Sequence, residues 1–535
     1  METTQMNPPA RGIAVAPHRL ASESAREVLR EGGNAIEAMI AAAATIAVAY
    51  PHMNALGGDG FWLIAEPGQP PRAIDACGAA AVIASRTWYA DHDLRERLPT
   101  RGPLAALTMA GTVSGWQLAL EAAAQIGGRM PLSRLLRDAE HHARSGVPVA
   151  PGLARSLRDK KQELQHQPGF AQHFMPEERV LQAGDLLLQP RLADTLAQLT
   201  RAGLDDFYRG DLARRSAAAL ERAGSPLRLA DFLTHRAQWR TPLVLEHSLG
   251  RMYNTPPPTQ GLLSLLILGQ LDRLGLDGLH GRSSDFIHRV VEATRQAFVI
   301  RDRHLTDPVR MRVDAQSLLS TQCLDMLADN IDVERAGGWV SGAPGDTVWM
   351  GVVDGEGRAV SFIQSIYHEF GSGVVAGDTG LLWQNRGISF SLAVGALNAL
   401  EPCRKPFHTL NPPMAQLADG RTVVYGSMGG DGQPQFQAAV LLRHLLFGDS
   451  VQDAVSEPRW LLGRTWGSSS DTLKLESRFP REVFDQLAAR GHAVEALADF
   501  DEGAGHAGLI VRHADGRVDG AADPRSDGSA EFAER

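Results

Sequence analysis

At 535 residues, with 44% hydrophobic and 21% charged content, the chain can bury a large core, and its length alone suggests three or four domains. A net charge of −9 and a pI near 6.1 argue against nucleic acid or an anionic membrane as the main partner, since both need a basic face, and favour small molecules. The three cysteines, Cys77, Cys323 and Cys403, are too few and too scattered for a disulfide framework or a thiolate metal site, so reduced thiols are expected.

Met1 to Gly12 is polar and proline-containing, without the apolar segment of a secretory signal, and a cytoplasmic location is expected. Ala21 to Glu31 has helical composition and stops at Gly32-Gly33. Asn34, with Glu37 three residues on, forms a capping box for a second helix that is apolar nearly all round and therefore interior. That stretch, Ala35 to Tyr50, is shorter than the roughly 20 residues needed to span a membrane and ends at Pro51.

Gly57-Gly58-Asp59-Gly60 reads as a tight turn rather than a phosphate loop, because no Lys-Ser/Thr follows, and Phe61 to Ala65 reads as a strand. Amphipathic helices dominate from Leu104 to Leu276, broken near Gly127, Pro151 and Gly203, with Pro256-Pro257-Pro258 as a turn before another helix. Ala336 to Asp346 is glycine-rich and lacks apolar periodicity, as suits an exposed segment open to cleavage. Strand signals then cluster at Thr347 to Val353, Ala359 to Ser365, Gly380 to Gln384 and Thr422 to Tyr425, with more helix after Gln433. Helices followed by strands predict an α/β layered sandwich rather than separate domains.

Thr347 places a lone hydroxyl at the threshold of a buried strand, in Gly345-Asp346-Thr347-Val348-Trp349. A threonine hydroxyl needs a base, and its own α-amine can serve if it is a chain terminus with a pKa near roughly 7.7 to 8.0. A break between Asp346 and Thr347, through an N-to-O shift and hydrolysis of the ester, would create that terminus; the plain alternative is a β-branched residue that starts a strand. Gly426-Ser427-Met428-Gly429-Gly430 follows a short strand and precedes a helical stretch starting near Pro434. Backbone N–H groups at such a turn can converge on an oxyanion, or the segment is simply a glycine turn. Pro406-Phe407-His408-Thr409-Leu410-Asn411-Pro412 holds a polar pair between prolines, suited equally to a substrate contact or a structural hydrogen bond.

Taken in order, these segments resemble the γ-glutamyltransferase family of N-terminal nucleophile hydrolases, together with Glu31-Gly32-Gly33-Asn34-Ala35, Gly57 to Phe61, Phe370-Gly371-Ser372-Gly373 and Gly520-Ala521-Ala522-Asp523-Pro524-Arg525. The resemblance implies a four-layer αββα sandwich, autoprocessed at Asp346/Thr347 into a large subunit, 1–346, mostly helical, and a small subunit, 347–535, held in one globular unit. It implies Thr347 as nucleophile and general base, Gly429 and Gly430 as the oxyanion hole, and Ser365 where the family commonly has a threonine bonded to the nucleophile. Val348 stands where the family often has a second threonine, so slow maturation is expected.

The substrate positions depart further. Cys77 occupies the place of the arginine that grips the γ-glutamyl α-carboxylate; Ser389 replaces the aspartate that holds the α-ammonium, and Arg386 replaces a glutamine. Tyr367 stands where an asparagine contact is usual, and His408-Thr409 replaces a serine pair. Losing one side of a buried charge contact costs roughly 2 to 5 kcal/mol, so two lost clamps remove about a thousandfold or more in binding, and glutathione becomes a poor substrate. Deleting a carboxylate and adding a guanidinium favours a small anionic amide without an ammonium. The Thr347 and His408 segments are similar to the branch of the family containing oxamate amidohydrolase, which implies hydrolysis of oxamate to oxalate and ammonia. The competing expectations are γ-glutamyl transfer or hydrolysis, β-lactam side-chain acylase action, and an uncleaved ligand-binding relative. No metal or organic cofactor is required, and the His141-His142 pair and the other histidines lack ligand spacing with carboxylates. A dimer of the two-subunit unit is a further possibility.

Overall fold

The computed structural model describes residues 11–338, 346–463 and 470–534. The segment expected to be cut, Ala336 to Asp346, falls mostly at 339–345, outside the described residues.

Two antiparallel sheets stack between layers of helices. From edge to edge, the seven-stranded sheet runs Ser529–Ala533, Gly12–Ala16, Asp346–Asp354, Ala359–Tyr367, Asp59–Ala65, Arg72–Ala76 and Gln238–Arg240. The six-stranded sheet runs Val518–Ala522, Ala507–Arg512, Thr422–Ser427, Met414–Leu417, Gly250–Asn254 and Leu243–His247. Both sheets combine strands from before and after position 347, so the two parts of the chain share each sheet.

Alternation along Asp346–Asp354 builds the layers. Val348, Met350 and Val352 face the helix Ala35–Ala49, whose residues are all buried, whereas Trp349 and Val353 join Phe61, Leu63, Met414, Val424 and Ile510 between the sheets. The Trp349 indole lies so close to Gly426 that a Cβ there would meet its Cδ1 at 2.1 Å. On the far side, Gly261–Leu271 and Gln433–Leu445 cover the six-stranded sheet with a third apolar cluster. These are the layers of an αββα sandwich. The expected capping box is present, Asn34 Oδ1 accepting from the Glu37 N–H and Glu37 Oε2 from the Asn34 N–H.

Three expectations need correction. The stretch read as helical to Leu276 contains the strands Gln238–Arg240, Leu243–His247 and Gly250–Asn254, the last two a hairpin whose half-buried alternation was outweighed by the flanking helices. Gly380 to Gln384 is no strand: Leu382 and Trp383 make only isolated bridges, to Val375 and Gly57. More helix does follow Gln433, as expected, interleaved there with strands, of which Ser529–Ala533 pairs with Gly12–Ala16 at the sheet edge. Asp59 and Gly60, read as part of a turn, already lie within the strand Asp59–Ala65.

Candidate active site

Thr347 is the second residue of its strand and is fully buried. Opposite it the register slips: Gln364 pairs with Val348 and Tyr367 with Asp346, so Ser365 and Ile366 share the place facing Thr347. Ser365 Oγ accepts the Tyr367 N–H at 2.8 Å within this bulge. Tyr367 takes φ +81°, a left-handed conformation that a bulky side chain holds only when its surroundings impose it.

The second sheet delivers the glycine turn. Thr422–Ser427 ends, Gly429 and Gly430 adopt φ +119° and +53°, and the helix Gln433–Leu445 begins. Gln433 Nε2 reaches Thr347 Oγ1 at 3.4 Å while its Oε1 accepts from Asn411 Nδ2 at 3.0 Å, which joins the turn to the threonine. Gln260 Nε2 donates to the carbonyls of Thr409 and Gly430, at 2.6 and 2.7 Å, binding the His408 loop to the same turn.

The expected substrate residues converge here, with differing degrees of freedom. Arg386 is buried and faces inward: its guanidinium carbon lies 3.6 Å from the Tyr367 ring centroid, Nη2 donates to Thr409 Oγ1 at 2.9 Å and Nη1 to Phe407 O at 3.4 Å. Among the described residues its Nε has no hydrogen-bond partner and no carboxylate lies within ion-pair distance of the guanidinium. Burial lowers its pKa to about 10, with Tyr367, Asp59 and Asp431 opposing, and the group stays charged at neutral pH. The Tyr367 phenol is pushed up by burial. Ser389 Oγ is committed to Phe407 O at 3.2 Å, and Cys77 is packed between the sheets with a thiol pushed up by burial and by Asp75. His408 Nε2 lies 2.9 Å from Asp59 Oδ2, and burial together with Arg386 and Lys405 holds the ring neutral.

The structure adds buried polar groups to the site that the sequence does not single out. Asp59 is a buried acid in a glycine run, an anomaly visible in the sequence but explained there as a turn residue. Lys405 pairs with Asp75 at 2.6 Å beside Cys77. Asp431, next to the glycine turn, accepts from Arg301 at 2.8 Å, both groups buried. Asn411, Gln433 and Gln260 carried no local signal, since amides at helix starts and loops are commonplace.

His288, Glu292 and His492 bring ligand-type atoms within 4.8 Å of one another, contrary to the expectation that no histidine approaches a carboxylate with ligand spacing. Their ring nitrogens are already engaged: His288 Nε2 with Asp332 O at 2.9 Å, His288 Nδ1 with His492 Nε2 at 2.8 Å, and His492 Nδ1 with Arg295 Nη2 at 3.4 Å. Glu292 takes Arg295 Nε and the Gly337 N–H, so this cluster ties Gly337 to the helix Ser284–His304.

A sequence profile of the gamma-glutamyltranspeptidase family matches residues 21–533. The chain belongs to that family. The oxamate amidohydrolase proenzyme of Klebsiella pneumoniae is 55% identical over 521 residues, covering 97% of this chain and 98% of that one. The glutathione hydrolase proenzyme of Escherichia coli is 30% identical, covering 96% of this chain and 90% of that one. Among solved structures, a cephalosporin acylase from Bacillus halodurans superposes with a TM-score of 0.89 at 30% identity, over 99% of both chains. Membership makes this gamma-glutamyltranspeptidase homologue an amidohydrolase with the N-terminal nucleophile fold, made as a precursor that yields two subunits.

Proposed function

We propose that the chain cleaves itself between Asp346 and Thr347, into subunits 1–346 and 347–535, and then hydrolyses oxamate to oxalate and ammonia. The observation that carries the substrate is Arg386, a buried guanidinium at the site that, among the described residues, has an unpartnered Nε and no carboxylate within ion-pair distance, Asp59 and Asp431 acting on it only from further away. Such a group is costly unless an anionic ligand completes it. The likeness to the Klebsiella pneumoniae oxamate amidohydrolase proenzyme supports the same substrate.

In this reading the freed Thr347 amine takes the Oγ1 proton as that oxygen attacks the amide carbonyl, with the Gly429 and Gly430 amides receiving the oxyanion. The proton passes to the departing nitrogen, ammonia leaves, and an oxalyl ester remains on Oγ1. Water, activated by the same amine, cleaves that ester to oxalate and regenerates the hydroxyl. Ser365 supports the nucleophile from the bulge, and Thr409, Tyr367 and Arg386 position the carboxylate. Two such units associating as a dimer of heterodimers is compatible with this chemistry.

Purified protein should run as two bands, the smaller beginning at Thr347, and release ammonia from oxamate in preference to cleaving a γ-glutamyl anilide. A preference for the anilide would favour the glutathione hydrolase reading, and a chain that stays whole and inactive would favour a binding protein.

A further inference from the structure

Asp59 opens its strand with a carboxylate that has no access to solvent. Oδ1 accepts the backbone N–H groups of Gly78 and Gly111, at 3.0 and 3.1 Å, and Oδ2 meets His408 Nε2 at 2.9 Å. The His408 backbone is pinned on both sides, its N–H donating to Pro258 O at 2.8 Å and its carbonyl accepting from the Gln260 N–H at 2.9 Å. The ring also stands edge-on to Phe61, with centroids 5.0 Å apart. Its remaining nitrogen, Nδ1, is buried and has no hydrogen-bond partner among the described residues. Leaving such an atom unpaired costs roughly 1 to 3 kcal/mol. The two residues flanking His408 receive the Arg386 guanidinium, which therefore neighbours the His408 ring, and Arg386 Nε, like His408 Nδ1, has no hydrogen-bond partner among the described residues.

We propose that Asp59 and His408 form the amide-recognising half of the substrate site: ionised Asp59 holds the His408 proton on Nε2, leaving Nδ1 to accept the substrate N–H while Arg386 takes its carboxylate. The proposal rests on the reading of the substrate as a small carboxylate-bearing amide. Asp59 is the positioning residue and His408 makes the contact. A primary amide offers the N–H that Nδ1 needs, whereas the dicarboxylate product offers only acceptors and meets a lone pair. The couple therefore discriminates substrate from product, favouring release of the latter.

The test is Asp59→Asn in the self-processed two-subunit enzyme at pH 8, where Asp59, pushed up to about 7 by burial, is ionised in the parent. The asparagine Oδ1 keeps the Gly78 and Gly111 bonds, which turns its NH2 toward His408 Nε2 and moves the ring proton to Nδ1. The KM for oxamate should rise roughly tenfold or more, while oxalate, as a competitive inhibitor, should bind more tightly by a similar factor. Both constants unchanged, or both weakened together, would overturn the proposal.

A second measurement needs neither a folded variant of Asp59 nor any turnover. Long-range 1H–15N spectra of histidine-labelled enzyme, with the His408 signals identified by their loss in His408→Gln, report the tautomer directly. An Nε2-protonated ring at pH 8 is expected, and an Nδ1-protonated ring sinks the idea. Failure of the unaltered enzyme to hydrolyse oxamate would instead remove the proposed function, with the tautomer still deciding this point.

Discussion

Arg386→Gln tests the anion clamp most directly. Glutamine can still reach Thr409 or Phe407 O with one donor, but it loses the charge and the stacking on Tyr367 at 3.6 Å. Removing one side of a desolvated charge contact costs roughly 2 to 5 kcal/mol, which is about 30-fold to several thousandfold in affinity. Stability should change far less. The guanidinium already bears the burial penalty that lowers its pKa to about 10, and its removal offsets the lost hydrogen bonds. Expected, then, is a variant that processes normally, melts near the parent temperature, and shows an oxamate KM raised by at least about 30-fold in an ammonia-release assay. Arg386→Lys should restore only part of this, since an ammonium cannot reproduce the planar stacking or the fork of donors. A KM within threefold of the parent, in a variant processed to completion, would refute the assignment of Arg386 to the substrate carboxylate.

Thr347→Ala should remain a single chain of 535 residues on denaturing electrophoresis and release no ammonia; processing of that variant would relocate the nucleophile. Gln433→Leu removes the donor that reaches Thr347 Oγ1 and takes one of the two acceptors from Asn411 Nδ2, which keeps Thr409 O, so the urea midpoint should fall by the equivalent of about 1 to 3 kcal/mol and kcat should change more than KM. Asp431→Asn leaves Arg301 buried with only part of its countercharge, and unfolding titrations should register a loss of about 3 to 5 kcal/mol. Burial pushes the Asp59 carboxyl up from 3.8 to about 7, so between those values the folded chain holds a proton that the unfolded chain has released. Its contribution is fully present below pH 3.8 and is lost as pH rises through 7; the stability of the parent relative to Asp59→Asn should therefore fall across that window and level off above it. The charged neighbours Arg386 and Lys405 do not titrate there, and a difference that is flat with pH would show Asp59 to be ionised throughout.

What could be read from the chain alone was whatever depends on near neighbours. The Asn34–Glu37 capping box, the alternation of Val348, Met350 and Val352 against Trp349, the glycine pair after a short strand and the hydroxyl at a strand's first buried position are all written within a few residues, because helix caps, pleats and turns are local geometry. The hydroxyl and the glycine pair, in order with the segments 31–35, 57–61, 370–373 and 520–525, also carried the likeness to the family.

The tertiary structure alone decided which distant groups meet. Asp59 and His408 are 349 positions apart, and nothing local to either announces the other. Asp59 opens a strand of one sheet and His408 lies in the loop leading into a strand of the other, so the stacking of the sheets brings them together, whereas strand register makes the bulge that sets Ser365 and Ile366 against Thr347. The charge states follow in turn: a carboxyl, an imidazole and a guanidinium are ordinary in water, and removal from solvent pushes the Asp59 carboxyl up and the His408 and Arg386 groups down.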